Sequence, residues 1–440
     1  MSAFRKTVVS SLLLVLLSTC FVDRAHAIPA FARKYGLRCS ACHEAWPMLN
    51  YFGQKFKDNG YQLMNDRDAP IWQNNGYWPV TMRITPFWHR ESTDKVAVDQ
   101  APTGQQQITA HGFDVGGLDI LSGGTLDKNI SFLFVLSSDE TGAFHFESVN
   151  ARLDNLFGSP WLNVKMGKFE LDNIVSEKRG LTLTADGGGF QIYHFVPVGD
   201  NNFFGAIGDN QFGLEWMGHS ANDRTRISAA LLSSNGGNVD LLNSNAYSGF
   251  FAGSQAFDVG KLGTQRVGFY AMVGQVPTGF LTQGGAQVAG GGIGNKGFSR
   301  EGFTGLFYLG KLDFQVVTQH GSDNAFFGTS TPAGTPLPTG ARSAVWNGAF
   351  VETHYVYSPQ LIFIQRSEWI RMSQQAIPGT ASNLGNIDNY VFGYRYMPIM
   401  NSRAGFAFHN EYSWIRQRGG APDGTDLTSN SLLLGFDFDF

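Results

Sequence analysis

The chain has 440 residues, a formal net charge of −4 and a mean hydropathy of −0.14, with 54 glycines, 37 phenylalanines, 14% aromatic and only 15% charged residues. Its 32 basic residues are scattered rather than gathered in a stripe, which excludes the electrostatic footprint of a nucleic-acid binder. A soluble chain normally carries about 25% charged residues; low charge with abundant Phe and Gly and no long apolar run is what alternating lipid-facing and lumen-facing positions produce.

At the N-terminus, Arg5 and Lys6 precede the apolar run Leu12 to Leu17, and Ala25-His26-Ala27 offers a small-x-small cleavage site. Residues 1–27 therefore read as a signal peptide, with a mature chain from Ile28. The apolar run is too short for a transmembrane helix, and no later segment approaches the roughly 20 apolar residues that a spanning helix needs. Leu17-Ser18-Thr19-Cys20 is a poorer lipoprotein site, because threonine fits badly before an acylated cysteine.

Cleavage leaves Cys39 and Cys42, too few for a disulfide framework. They lie in Cys39-Ser40-Ala41-Cys42-His43, the pattern of c-type haem attachment. The two thiols reach the vinyl groups and the adjacent imidazole meets the iron. One covalent haem c is expected, with His43 as axial ligand to the haem iron. The rival readings are a redox C-x-x-C pair, which lacks a thioredoxin-like βαβ context, and half of a zinc site, which lacks further cysteines.

From Ala30 to about Leu63 the pattern is helical, with Trp46, Leu49, Phe52 and Phe56 forming one apolar stripe and Asn59-Gly60 supplying a stop. Residues 28–78 read as a small α-helical haem segment with little core of its own. For the sixth ligand, Met64, just past that stop, is the candidate, with Met82 and His89 next; Met48 lies too near His43 to cross the ring. Methionine would raise the potential relative to bis-histidine ligation.

From about Val80 the period changes to two. Leu432, Leu434, Phe436, Phe438 and Phe440 fall on one face and Asp437 and Asp439 on the other. Similar segments recur near 80–90, 112–122, 128–138, 144–157, 161–170, 209–217, 222–233, 246–257, 263–276, 298–308, 311–321, 342–356, 359–371, 388–396, 401–415 and 428–440, sixteen in all. Tight connections alternate with long polar ones. The predicted fold is mainly β: a 16-stranded antiparallel transmembrane β-barrel, porin-like, over residues 79–440, with the haem segment at the short-turn, periplasmic side or inside the barrel.

Residues 171–208 read as one long outer loop able to fold into the lumen, although Phe190 to Val198 has the pattern of a further strand. Gly284 to Gly297 lacks the spacing and setting of a nucleotide loop and reads as an outer loop. Inward positions include Asp313, Glu352, His354, Arg395, His409, Glu411, Asp437 and Asp439, charges of a kind that ordinarily solvate a channel. No Ser-His-Asp array or paired catalytic carboxylates stand out, so any chemistry is expected from the haem itself.

Ile28-Pro29-Ala30-Phe31-Ala32-Arg33-Lys34-Tyr35-Gly36, the haem pentapeptide, Trp46-Pro47-Met48-Leu49-Asn50, Phe52-Gly53 and Asn59-Gly60-Tyr61 together resemble the fused monohaem cytochrome c-porin family of Gram-negative outer membranes. Iron-oxidising outer-membrane cytochromes are its best-known members. The sharp match is confined to about residues 28–63; the barrel matches in pattern. The resemblance implies an outer-membrane protein in contact with lipid that takes electrons from extracellular Fe(II) or another donor. It implies delivery to a periplasmic carrier, a cytochrome or copper protein, in an iron(II):cytochrome oxidoreductase type of electron transfer. It carries over Cys39, Cys42 and His43 alone. Related fusions occur outside iron oxidisers, so outer-membrane electron transfer is implied more firmly than Fe(II). A transport porin with a tethered haem plug or sensor, and an outward electron conduit, are the alternatives.

Overall fold

A computed structural model describes residues 30–45, 47–65, 68–73, 79–98, 104–138, 142–183, 188–197, 207–233, 246–277, 295–329, 331, 336–400 and 404–439. The expected signal peptide, Trp46, residues 284–294 of the glycine-rich run and Phe440 lie outside the described residues; residues 295–297 open a strand.

Sixteen strands form a closed barrel in which each pairs with its sequence neighbours. They are β1 Val80–Ala97, β2 Gln105–Asp127, β3 Ile130–Ser138, β4 Phe144–Leu153, β5 Asn163–Phe169, β6 Gln211–His219, β7 Thr225–Ser233, β8 Tyr247–Asp258, β9 Thr264–Pro277, β10 Asn295–Leu309, β11 Leu312–Asp323, β12 Ala344–Ser358, β13 Leu361–Gln374, β14 Asn386–Met400, β15 Gly405–Arg418 and β16 Leu427–Asp439. All pairings are antiparallel, and β16 closes on β1. Closure leaves no hydrogen-bonding edge, the condition a sheet must meet in hydrocarbon. Pro86 sits at a register shift between Ile84 and Pro86, and Pro398 within the one between Tyr396 and Ile399, where a missing backbone donor interrupts no regular ladder bond. Each of the sixteen segments expected from the sequence overlaps one strand.

The faces follow the period of two. In β16, Ser431, Leu433, Asp437 and Asp439 are buried while Leu434, Phe436 and Phe438 are exposed. Phe303, Phe363, Phe392 and Phe408 continue this apolar exterior around the wall. A greasy outside and a polar, filled inside is the inversion that marks a transmembrane barrel.

Two inserted segments fill the lumen. The first comprises the short helices α1 Ala30–Tyr35, α2 Cys39–Cys42 and α3 Tyr51–Asp58, with a small antiparallel pairing of His43–Ala45 against Met48–Leu49. The sequence led us to expect a stripe running from Trp46 along one helix. Instead Leu49 is in the strand pair and Phe52 is exposed. The reason is Asn50, whose side chain accepts the Gly53 N–H and so starts α3 only at Tyr51. Of the described stripe residues, Phe56 alone joins the small core, with Tyr35 and Tyr61 and, at its edge, Phe31 and the wall residue Leu133.

The second insert is the long connection between β5 and β6. Phe190 to Val198 is not a strand in its described part: Gln191–His194 is one helical turn. Phe190, Ile192, Tyr193 and Phe195 pack into the wall residues Tyr270, Trp346 and Phe350 to form the largest apolar cluster among the described residues. This is the inward fold that the sequence left open.

Candidate functional site

α2 is a single turn, so Cys39 and Cys42, three residues apart, come to one side of it. The chain then turns extended at His43. All three side chains line one cavity of about 300 Å³ inside the barrel, within the range of about 300–1,000 Å³ usual for small-molecule sites. Its apolar wall includes Phe31, Phe56, Leu121, Leu133 and Val135; its polar rim includes Arg38, Arg83 and Arg152.

The donor set, two thiols beside one oriented imidazole, suits the group that the pentapeptide implies. Neither thiol is in a disulfide. Burial pushes the Cys39 thiol up to about 12 and that of Cys42 to about 11. A redox C-x-x-C pair needs the opposite shift, toward thiolate, so these surroundings do not suit that rival reading. Among the described residues no group of three or more His, Cys, Asp or Glu is arranged to hold a metal ion, which leaves the zinc reading without partners. The Nδ1 of His43 donates to the carbonyl oxygen of Pro47 at 3.2 Å. That bond fixes the tautomer and leaves the Nε2 lone pair for a metal, the orientation that an outer partner imposes on a ligating histidine. Burial also holds the imidazole neutral, near 4.

The helical turn is tied down locally. The amide of Asn50 donates to the carbonyl oxygen of Ala41 at 3.1 Å, while its oxygen caps α3. The insert is also bolted to the wall. Arg152 of β4 donates to the carbonyl oxygens of Lys57 and Asp58 at 2.7 and 3.0 Å, satisfying the open end of α3. Arg226 of β7 pairs with Asp58 at 2.6 Å, with both side chains buried. The N–H of Ala30 donates to Thr81 Oγ1 of β1 at 2.9 Å.

A second cavity of about 260 Å³ contains Glu44, Met48, Asp223, Arg266, Tyr308 and Asp313. His43 and Glu44 are consecutive in an extended segment and so open to different cavities.

The structure does not bring Met64 to the thiols. It is 57% exposed, at φ 60°, and does not line the cavity. Met48 faces the second cavity, where its sulfur accepts from Gln315 at 3.1 Å. Met82 lies between the cavity-lining Thr81 and Arg83 and so points the other way; His89 does not line the cavity either. Sequence reading missed Pro47, Arg152 and Arg226, whose roles arise from contacts that spacing does not encode.

All eight inward charges named from the sequence are buried. They do not solvate an open channel: Glu411 accepts the N–H of Leu183, Arg395 donates to the carbonyl oxygen of Leu181 at 2.9 Å, and Arg395 pairs with Asp437 at 3.0 Å. His354 bridges Asp313 and Glu352. Most of these charges are paired with one another, and Glu411 and Arg395 anchor the inserted loop.

No family model and no curated protein matches this chain. Among solved structures, OmpF of Salmonella typhi in complex with daunomycin aligns with 10% identity over 82% of this chain and 97% of its own, at a TM-score of 0.52. The outer membrane channel DcaP of Acinetobacter baumannii aligns with 8% identity over the same shares, at 0.51. The likeness is one of fold: this chain is a porin-like closed barrel of sixteen strands.

Proposed function

We propose that this barrel is an outer-membrane cytochrome-porin that moves electrons across the outer membrane of a Gram-negative bacterium, from extracellular Fe(II) or another donor to a periplasmic carrier. The observation that carries the reading is the convergence of Cys39, Cys42 and His43 on one cavity inside the lumen, with the His43 ring already oriented by Pro47. Cys39 and Cys42 would hold haem c by thioethers and His43 would ligate its iron. The group so held supplies one-electron redox chemistry. The chain's own part is to place that site within the barrel wall, so that the roughly 30 Å of hydrocarbon does not separate it from both aqueous sides. The short connections lie at the end where residue 79 enters β1, which is the periplasmic end in bacterial barrels.

A second reading, a transport porin with a tethered plug, draws on the barrel fold and on the two lumen cavities. The inserts argue for the first, because they bury apolar side chains against the inner wall where a solute path would run.

The two separate in proteoliposomes that enclose soluble cytochrome c. External anaerobic Fe(II) should reduce the enclosed carrier with the intact protein and not with a Cys39→Ser/Cys42→Ser variant. Equal rates for both, or solute flux without carrier reduction, would reject electron transfer and leave the porin reading.

A further inference from the structure

The cavity that receives Cys39 and Cys42 is lined by one histidine, His43, and by no methionine. Outside residues 1–29, every methionine and histidine of the chain is among the described residues, so this inventory is complete for residues 30–440. Met1 and His26 both fall in the expected signal peptide.

Other donors that reach the cavity are already engaged. Lys57 Nζ lies 3.3 Å from Glu170, Lys178 Nζ lies 3.3 Å from Glu147, and Lys165 pairs with Glu215. An ammonium held by a carboxylate keeps its proton and has no lone pair to give a metal. Asp119 is taken by Arg83. Tyr61 is stacked against Phe31 and lies beneath the Arg152 guanidinium.

The geometry points to a haem iron held by His43 alone among the described side chains, with the opposite axial position open to a small exogenous ligand of the π-acceptor class, such as carbon monoxide or nitric oxide. The inference rests on the haem reading above. Lys57 is its strongest competitor, because burial lowers the proton affinity of that ammonium.

The test uses full-length protein purified in detergent. A pyridine haemochrome spectrum first establishes whether haem is covalently bound; its absence would reject the haem reading itself, and this inference with it. Given bound haem, the oxidised protein should show a high-spin paramagnetic resonance signal. The dithionite-reduced protein should take up one carbon monoxide per haem with a shift of the Soret band. A low-spin signal together with a reduced spectrum that carbon monoxide leaves unmoved overturns the inference while the haem reading stands. A Lys57→Arg variant keeps the pair with Glu170 but cannot ligate. A change from low-spin to high-spin in that variant would assign the sixth position to Lys57 and overturn the open site.

Discussion

A side-chain carbon added at Gly53 would lie 2.0 Å from the carbonyl oxygen of Cys42. α3 therefore rests directly on the turn that carries both cysteines, and only a residue without a side chain allows the approach. Gly53→Ala should force the two apart at a cost of about 1–3 kcal/mol. Limited proteolysis should cut the 30–63 segment about tenfold faster or more, while the barrel keeps its resistance to unfolding on an unheated gel. An unchanged cleavage rate would mean that the turn yields without strain.

The pair between Asp58 and Arg226 joins insert to wall in a place from which water is largely excluded. Arg226→Leu leaves a buried carboxylate uncompensated and should weaken docking by about 3–5 kcal/mol. Asp58→Asn in the same chain should recover much of that loss. Hydrogen exchange of residues 51–60 measures both, and independent, additive effects would show that the pair is not coupled.

Leu434 is midway along β16 and faces out, whereas its neighbour Leu433 faces in. Leu434→Arg should destabilise the barrel in bilayers by about 2–4 kcal/mol, as arginine does near the hydrocarbon midplane. Leu434→Phe should be close to neutral. Urea unfolding in lipid vesicles distinguishes them; equal midpoints would place this part of the wall outside the membrane.

Arg366 of β13 donates to the carbonyl oxygens of Gly188 and Gly189 at 2.7 and 2.8 Å, and its guanidinium sits 4.7 Å from the centre of the Phe190 ring. Arg366→Ala should release the inserted loop, since both the charge-assisted bonds and the stacking go with it. Single-channel conductance in planar bilayers should rise several-fold. Conductance that stays at the parent level would mean that the apolar cluster around Ile192 holds the loop unaided.

Single replacements at the thiols should be graded. On the proposed haem attachment, Cys39→Ser or Cys42→Ser should leave one thioether and shift the pyridine haemochrome band to longer wavelength, since one vinyl group stays conjugated; the double variant should carry no haem that survives acid-acetone extraction. Haem retained covalently by the double variant would place attachment elsewhere.

The strands were legible because each is a local pattern. Alternation in Leu432 to Asp439 needs no knowledge of the neighbouring strand, and sixteen such runs with alternating connections leave little besides a closed barrel. That Cys39, Cys42 and His43 stand close together was legible for the same reason, being a pentapeptide; the cavity they share was not. Met64 was not: its distance along the chain from the helix stop suggested a return over the cysteines, but its backbone turns left-handed and leaves the side chain in solvent. The start of α3 was also misjudged, because apolar spacing gave way to one capping asparagine.

Composition and period of two by themselves determined a lipid-facing exterior and a polar lumen, and the pentapeptide marked Cys39, Cys42 and His43 as the candidate site. Tertiary structure alone decided that these residues lie inside the lumen, that Pro47 orients His43, and that Arg152 and Arg226 fasten the insert. The physical reason is range. Alternation and short motifs are set by neighbours within a few residues, whereas the contacts that hold the insert join positions as far apart as Asp58 and Arg226, which only the folded barrel brings together.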